Sequence, residues 1–129
     1  MKHNRPTESE LEILEILWQT GSATVRQVNE ELEYKGKNVG YTTTLKMMQI
    51  MTEKGLLSRE MKGRTHIYSA LIQAAATRNA LIDRMANTAF GGSAMKMVLQ
   101  ALGNNKATPE ELREIRDLID KLENAQKKS

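Results

Sequence analysis

The sequence predicts a mainly α-helical protein with one β-hairpin, and three observations lead to this class. Six segments place apolar residues at helical spacing, and glycine-containing breaks separate most of them. One stretch around Lys62-Gly63 is instead rich in β-branched and aromatic residues, which is typical of two short strands and a turn. Aromatic residues are only 4% of the chain, so the core must come from aliphatic side chains and the eight methionines.

The first two helices are predicted from their start signals. Thr7 with Glu10 three residues later is a capping box, and the apolar stripe that follows ends at Gly21. Thr24 with Gln27 repeats the same start signal for the second helix. The buried side of this second helix is expected to consist of Val25, Val28 and Leu32.

The third helix is predicted to run from Tyr41 to Lys54 and to end at Gly55 in a left-handed cap. Its two sides differ in chemistry. One side carries Thr44, Met47, Met48 and Met51, and the other carries Thr42, Lys46, Gln49 and Glu53, flanked by Thr43. Methionine fills cores more often than it forms a binding site, so the methionine side is expected to be buried and the polar side free.

The rest of the chain is predicted to hold a hairpin and three more helices. The strands are expected at Leu56–Met61 and Thr65–Ala70, and the helices at Ile72–Phe90, Ser93–Leu102 and Thr108–Ala125. Three helices followed by a hairpin are the layout of a winged helix-turn-helix. We therefore predict a winged-helix domain over residues 1–71 and a helical region over residues 72–129.

The distribution of charge indicates which part of the chain would meet a polyanion. Residues 8–33 carry seven glutamates and one arginine, whereas residues 35–64 carry seven basic and two acidic residues. Threonine, lysine and glutamine can bond to phosphates or base edges, and cations at a wing tip usually rest on the DNA backbone. The expected DNA-binding residues are Tyr41, Thr42, Thr43, Lys46, Gln49, Lys62, Arg64 and His66.

Other classes of protein are not favoured by the residues present. The chain has no cysteine and only two histidines, and no group of side chains suggests catalysis, a metal site or a cofactor site. The first residues, MKHNRPTESE, lack the apolar run of a signal peptide, and no segment is long and apolar enough to span a membrane. We expect a cytoplasmic protein that is not an enzyme.

Several blocks of the sequence resemble one known family. PTESELEILEILWQTGSATVRQVNEEL, YTTTLKMMQIMTEKGLL and GRTHIYSAL are similar to the penicillinase-repressor (BlaI/MecI) family of bacterial winged-helix regulators, and the likeness continues through GGSAMKMVLQAL and TPEELREIRDLIDKLE. The resemblance implies a homodimer that represses transcription by binding a double-stranded, inverted-repeat operator. In this family the winged helix reads DNA and the C-terminal helices dimerise.

The C-terminal composition favours dimerisation independently, because its apolar stripes exceed what a small winged helix could cover. The alternative is a monomer in which these helices pack on the first domain. The expected dimerisation residues are Leu81, Ile82, Met85, Met97, Val98, Leu102, Leu112, Ile115, Leu118, Ile119 and Leu122.

The switch that releases DNA is where the sequence departs from the family. Well-studied members are cut at an Asn–Phe bond, which suggests a membrane-bound sensor protease as a partner, but the corresponding pair here is Gln100-Ala101. A loop at Gly103–Asn105 is expected to be the most protease-sensitive point. The candidate cleavage region is Gln100, Ala101, Gly103 and Asn104. Cleavage at another nearby bond and the absence of a proteolytic switch both remain open.

Two other functions remain as alternatives at this stage. The winged helix could bind protein instead of DNA, although the basic segment and the polar side of the third helix favour DNA. A repressor that responds to a small molecule is the second alternative, because methionine-lined space between C-terminal helices could be either a pocket or a core.

Overall fold

The computed structural model describes residues 5–104 and 106–128, in which three helices precede a hairpin and three more helices follow it. The helices are α1 Glu8–Thr20, α2 Val25–Tyr34, α3 Tyr41–Glu53, α4 Ala74–Ala89, α5 Ala94–Asn104 and α6 Pro109–Lys127, and the strands are β1 Leu57–Lys62 and β2 Thr65–Ala70. This order confirms the predicted fold class.

Three capping boxes start α1, α2 and α6 where the sequence predicts them. In α1, the Thr7 hydroxyl accepts a hydrogen bond from Glu10 N at 3.2 Å, and Glu10 Oε1 accepts one from Thr7 N at 2.9 Å. Thr24 and Thr108 form the same reciprocal pair with the residue three positions on. Each box satisfies two backbone N–H groups that the helix itself leaves unpaired.

The end of α3 determines where the hairpin begins. Gly55 has a φ of 85°, and Leu56 N donates to Met51 O at 2.9 Å, which closes the helix in the expected left-handed cap. Because this bond uses the amide of Leu56, β1 begins at Leu57, one residue later than predicted. The strands then pair antiparallel from Leu57–Ala70 to Lys62–Thr65.

One core holds the first three helices and the base of the hairpin together. It contains Val25, Val28 and Leu32 of α2 as expected, but Met47, which was expected to be buried with Met48 and Met51, is only half-buried at its edge. Tyr68 is buried in this core, and its backbone exchanges two hydrogen bonds with Ala23 at 2.8 and 3.0 Å. These bonds attach β2 to the loop between α1 and α2. The buried cluster consists of Ile13, Leu14, Ile16, Leu17, Ala23, Val25, Val28, Leu32, Met48, Met51, Leu56, Leu57 and Tyr68.

The start of α4 is attached to α1. Trp18 Nε1 donates to Ile72 O at 2.9 Å, and Arg78 bonds Glu15 at 2.8 Å while its guanidinium lies 5.4 Å from the Trp18 ring centre. The described chain accordingly divides into two compact units, one reaching Ala80 and the other starting at Leu81. The predicted functional boundary after residue 71 stays a prediction.

The contact between Trp18 and Ile72 gives a stability prediction. Trp18→Phe keeps an aromatic ring under Arg78 but leaves the Ile72 carbonyl without its donor, so the free energy of unfolding should fall by about 1–2 kcal/mol. Urea unfolding measures the change. Tyr34→Phe is the matched control because the Tyr34 side chain is 86% exposed, and equal midpoints for the two variants would contradict the prediction.

The end of α5 differs from the sequence-based expectation. The predicted loop at Gly103 is wrong, because α5 continues through Gly103 to Asn104, and Asn105 lies outside the described residues. Gly103 adopts no positive φ, so it fits the last turn at the ordinary cost of glycine in a helix.

Among the helices that the structure describes, none is long and apolar enough to cross a bilayer.

Candidate nucleic-acid interface

The first turns of α3 present a continuous polar surface. The side chains predicted to contact DNA from this helix are all exposed: Tyr41, Thr42, Thr43, Lys46 and Gln49. In contrast to α1, α2 and α6, this helix begins at Gly40 with no side-chain cap, so its first N–H groups are open to an external acceptor. Thr42, Lys46 and Gln49 recur at the spacing of one helix face.

Thr44 is separated from the two threonines before it. Its side chain is fully buried, as the helical periodicity predicts, and its hydroxyl accepts from Asn29 Nδ2 at 2.9 Å. The same hydroxyl donates to Gly40 O at 3.2 Å, and Asn29 Nδ2 also donates to Val39 O at 2.8 Å. This threonine therefore faces α2, while Thr42 and Thr43 face solvent.

The wing tip carries two cations. The strands are joined by Gly63 and Arg64, and Gly63 has a φ of 66°, which favours glycine at this turn. Lys62 and Arg64 are exposed, and within the described part of the chain neither forms a salt bridge. Their charges are available to a phosphate.

The hairpin register places Lys62 and His66, which were predicted together as DNA-binding residues, on opposite faces of the hairpin. Met61 pairs with His66 and Arg59 pairs with Tyr68, so these four side chains share the face that is buried further along at Tyr68. Lys62 lies on the opposite face, because side chains alternate along a strand. His66 therefore joins Arg59 and not Lys62. Arg59 was not predicted as a site residue. The available sequence signal was the alternation of side chains along a strand, which places Arg59 and Met61, two residues apart, on the same face.

Arg26 is a second residue that the sequence analysis did not assign to the site. It is exposed in the first turn of α2, and its guanidinium lies 5.6 Å from the centre of the Tyr41 ring. A cation in the first turn opposes the helix dipole, so helix stability alone does not favour arginine there. This mismatch was the available sequence signal. The contact brings Arg26 beside the exposed start of α3.

Ion pairs within the fold neutralise part of the basic segment. Lys54 Nζ contacts both oxygens of the Glu10 carboxylate at 2.9 Å, and Lys37 Nζ lies 2.8 Å from Glu12 Oε2. The hydrogen bond to Glu12 raises the pKa of Lys37, so this ammonium stays charged but is already paired. In the described residues, the basic side chains of segment 35–64 without a salt bridge are Lys35, Lys46, Arg59, Lys62 and Arg64.

The unit that starts at Leu81 exposes much of its apolar surface. A groove of about 600 Å³ between α5 and α6 is lined partly by Leu102, Ile115 and Leu118. Leu81, Met97 and Ile115 are half-buried in the single chain. The other predicted dimerisation residues are exposed: Ile82, Met85, Val98, Leu102, Leu112, Leu118, Ile119 and Leu122.

The predicted cleavage region lies within one helix. Gln100, Ala101, Gly103 and Asn104 are all exposed residues of α5. A protease binds an extended peptide, so cutting there requires the end of α5 to unfold locally.

Within residues 5–104 and 106–128, no group of three histidine, aspartate or glutamate side chains is arranged to hold a metal ion.

Similarities to known proteins extend over both units. A family model described as "Penicillinase repressor" matches residues 6–121. The penicillinase repressor of Bacillus licheniformis is 25% identical over 121 residues, which are 94% of this chain and 94% of that protein. The solution structure of the DNA-binding domain of the repressor BlaI matches with a TM-score of 0.51 and 26% identity, covering 58% of this chain and 92% of that domain.

Proposed function

The chain belongs to the penicillinase repressor family, which confirms the resemblance seen in the sequence, and we propose that it binds an inverted-repeat operator as a homodimer. It is a DNA-binding repressor and not an enzyme. The finer proposal assigns sequence reading to α3, backbone contacts to the wing, and pairing of two copies to the helices from Leu81 onward. Its place of action is the cytoplasm, with the DNA.

The observation that carries this proposal is the exposed polar face of α3 together with two wing cations that form no salt bridge among the described residues. Hydroxyl and amide groups can distinguish base edges, and cations attract the phosphates whatever the sequence. The proposal assigns the first task to Thr42, Thr43 and Gln49, which are exposed on α3, and the second to Lys62 and Arg64, which are exposed on the wing. A winged helix that bound only protein would not be expected to combine polar side chains for base edges with cations for phosphates.

Loss of a reading residue should affect the operator more than other DNA. Thr43→Ala and Gln49→Ala are each expected to cost about 1–3 kcal/mol on the operator and little on a scrambled duplex. The operator is the sequence that the wild-type protein enriches from a randomised duplex library. Fluorescence anisotropy at fixed salt measures both affinities.

Matched controls for these variants lie on α1, outside the residues assigned to DNA and to pairing. Thr20→Ala and Gln19→Ala remove the same side chains from exposed positions, and they should leave both affinities unchanged. Equal losses on the two duplexes for Thr43→Ala and Gln49→Ala would place these residues among the phosphate contacts. Failure of the wild-type protein to enrich any sequence would contradict the proposed function itself.

Release from the operator is proposed to act through the helices from Leu81 onward. Two tethered winged helices bind two half-sites at high effective concentration, so separating the copies weakens binding without changing a DNA contact. Proteolysis by a membrane-bound sensor protease, or another signal acting on these helices, would have this effect. The helical state of Gln100 and Ala101 supports a route in which α5 must first open.

A further inference from the structure

Asn29 connects three consecutive pieces of the helix-turn-helix through one buried side chain. It belongs to α2, and its Nδ2 donates to Val39 O in the loop at 2.8 Å and to Thr44 Oγ1 in α3 at 2.9 Å. Thr44 Oγ1 donates onward to Gly40 O at 3.2 Å. Asn29 is 8% exposed and Thr44 is fully buried, so these bonds are shielded from water.

The hydrogen-bonded pair of Asn29 and Thr44, called the Asn29–Thr44 cluster below, lies at the start of α3, and this position matters for DNA reading. Thr44 follows directly after the exposed residues Tyr41, Thr42 and Thr43, which share its helical turn. A buried network whose donors are all used favours one arrangement, because any other rotation of α3 would leave a donor of Asn29 unpaired in the core. The direction in which Thr42 and Thr43 point is therefore coupled to these bonds.

The apolar contacts of α3 do not supply the same constraint. Met48 and Met51 hold the helix against the core, but methionine is flexible and repacks easily, so it specifies rotation poorly. At the far end of the helix, Lys54 is bound to Glu10 of α1. Among the described residues, the polar contacts between α2 and α3 are those of Asn29 with Thr44 and of Arg26 with Tyr41.

We propose that Asn29 and Thr44 are positioning residues for sequence recognition, which orient the first turn of α3 without touching DNA. This inference rests on the proposed function and adds to it the residues that aim the reading side chains. Specific binding requires base contacts in register, whereas phosphate contacts tolerate small shifts. Loss of the cluster should therefore lower discrimination more than general DNA affinity.

A matched pair of substitutions within α3 tests the proposal. Thr44→Val replaces the hydroxyl by a methyl group and removes the bond from Asn29. Thr52→Val makes the same replacement in the same helix, where the Thr52 hydroxyl donates to Met48 O at 2.8 Å and this bond stays within α3. Thr44→Ser keeps the hydroxyl. Asn29→Ser replaces the two Nδ2 donors by one shorter hydroxyl, which cannot bond Val39 O and Thr44 Oγ1 together, and leaves every side chain of α3 in place.

The measured quantity is the ratio of affinities for the duplex enriched from a randomised library and for a scrambled duplex of the same composition. Thr44→Val and Asn29→Ser should each lower this ratio about tenfold, with the salt dependence on scrambled DNA unchanged. Thr44→Ser should restore the ratio, and Thr52→Val should keep it. Each variant is measured well below its own melting temperature, which circular dichroism establishes.

Two results would overturn the inference. An unchanged ratio in both Thr44→Val and Asn29→Ser would show that the cluster does not orient the reading residues. An equal fall in Thr52→Val would show that any weakening of α3 has the same effect. Both results presuppose a wild-type protein that discriminates, so they are distinct from failure of the proposed function, in which no sequence would be enriched.

Discussion

The double substitution Lys62→Ala with Arg64→Ala is expected to weaken binding to operator and scrambled DNA alike. Both side chains are exposed at the wing tip and, within the described residues, form no salt bridge. A dimer would lose four cations, and if each contacts one phosphate the slope of log affinity against log salt should flatten by about 3.6. Between 50 and 200 mM salt, the wild type should then lose about 10²-fold more affinity than the variant.

The control for this variant removes the same charges elsewhere. Arg116→Ala with Lys121→Ala deletes one arginine and one lysine from exposed positions of α6, so the change in net charge is identical. Its salt slope should match that of the wild type when both are titrated on the same two duplexes. A slope that flattens equally in both double variants would mean that net charge, and not the wing, governs the salt dependence.

Leu118→Asp is expected to give a monomer that has lost about 10²–10⁴-fold in affinity for the full operator. Leu118 is 55% exposed in the single chain and lines the groove between α5 and α6. In a two-fold interface the substitution would bury two carboxylates, whereas in a monomer it would meet water at little cost. Affinity for a single half-site should be retained, because the winged helix is unchanged.

Leu71→Asp is the matched control for the dimerisation variant. Leu71 is 57% exposed, close to the exposure of Leu118, but it lies outside the C-terminal helices. This control should keep the mass of the wild type in light scattering and its full affinity for the operator. A Leu118→Asp protein that remained dimeric, or a monomeric one that bound the operator as tightly as the wild type, would refute the assignment of the interface.

Much of the fold could be predicted from local patterns, because the forces that start and end these helices act between near neighbours. The three capping boxes join residues three positions apart, and Gly55 ends α3 through its own backbone freedom. Helical periodicity likewise separated the buried Thr44, Met48 and Met51 from the exposed side of α3. The wrong loop at Gly103 shows the limit, since a weak helix breaker can still be accommodated in a last turn.

For the candidate interface, the sequence could predict that the residues are exposed, but it could not predict how they are arranged on the hairpin. All eight side chains expected to bind DNA are exposed, but the sequence could not show that His66 and Lys62 occupy opposite faces of the hairpin. That follows from the turn at Gly63 and Arg64, which sets the register. Arg26 was missed because its contact with Tyr41 crosses between two helices.

The sequence by itself therefore determined the helices, the hairpin, the apolar stripes and the chemistry of the polar face, all of which depend on short-range spacing. Only the tertiary structure decided which buried polar groups meet. Asn29 bonds Thr44 fifteen residues away, and Trp18 bonds the Ile72 carbonyl fifty-four residues away. Such pairs form because packing brings distant donors and acceptors into a dry core, where each must find a partner, and no local pattern specifies which partner that is.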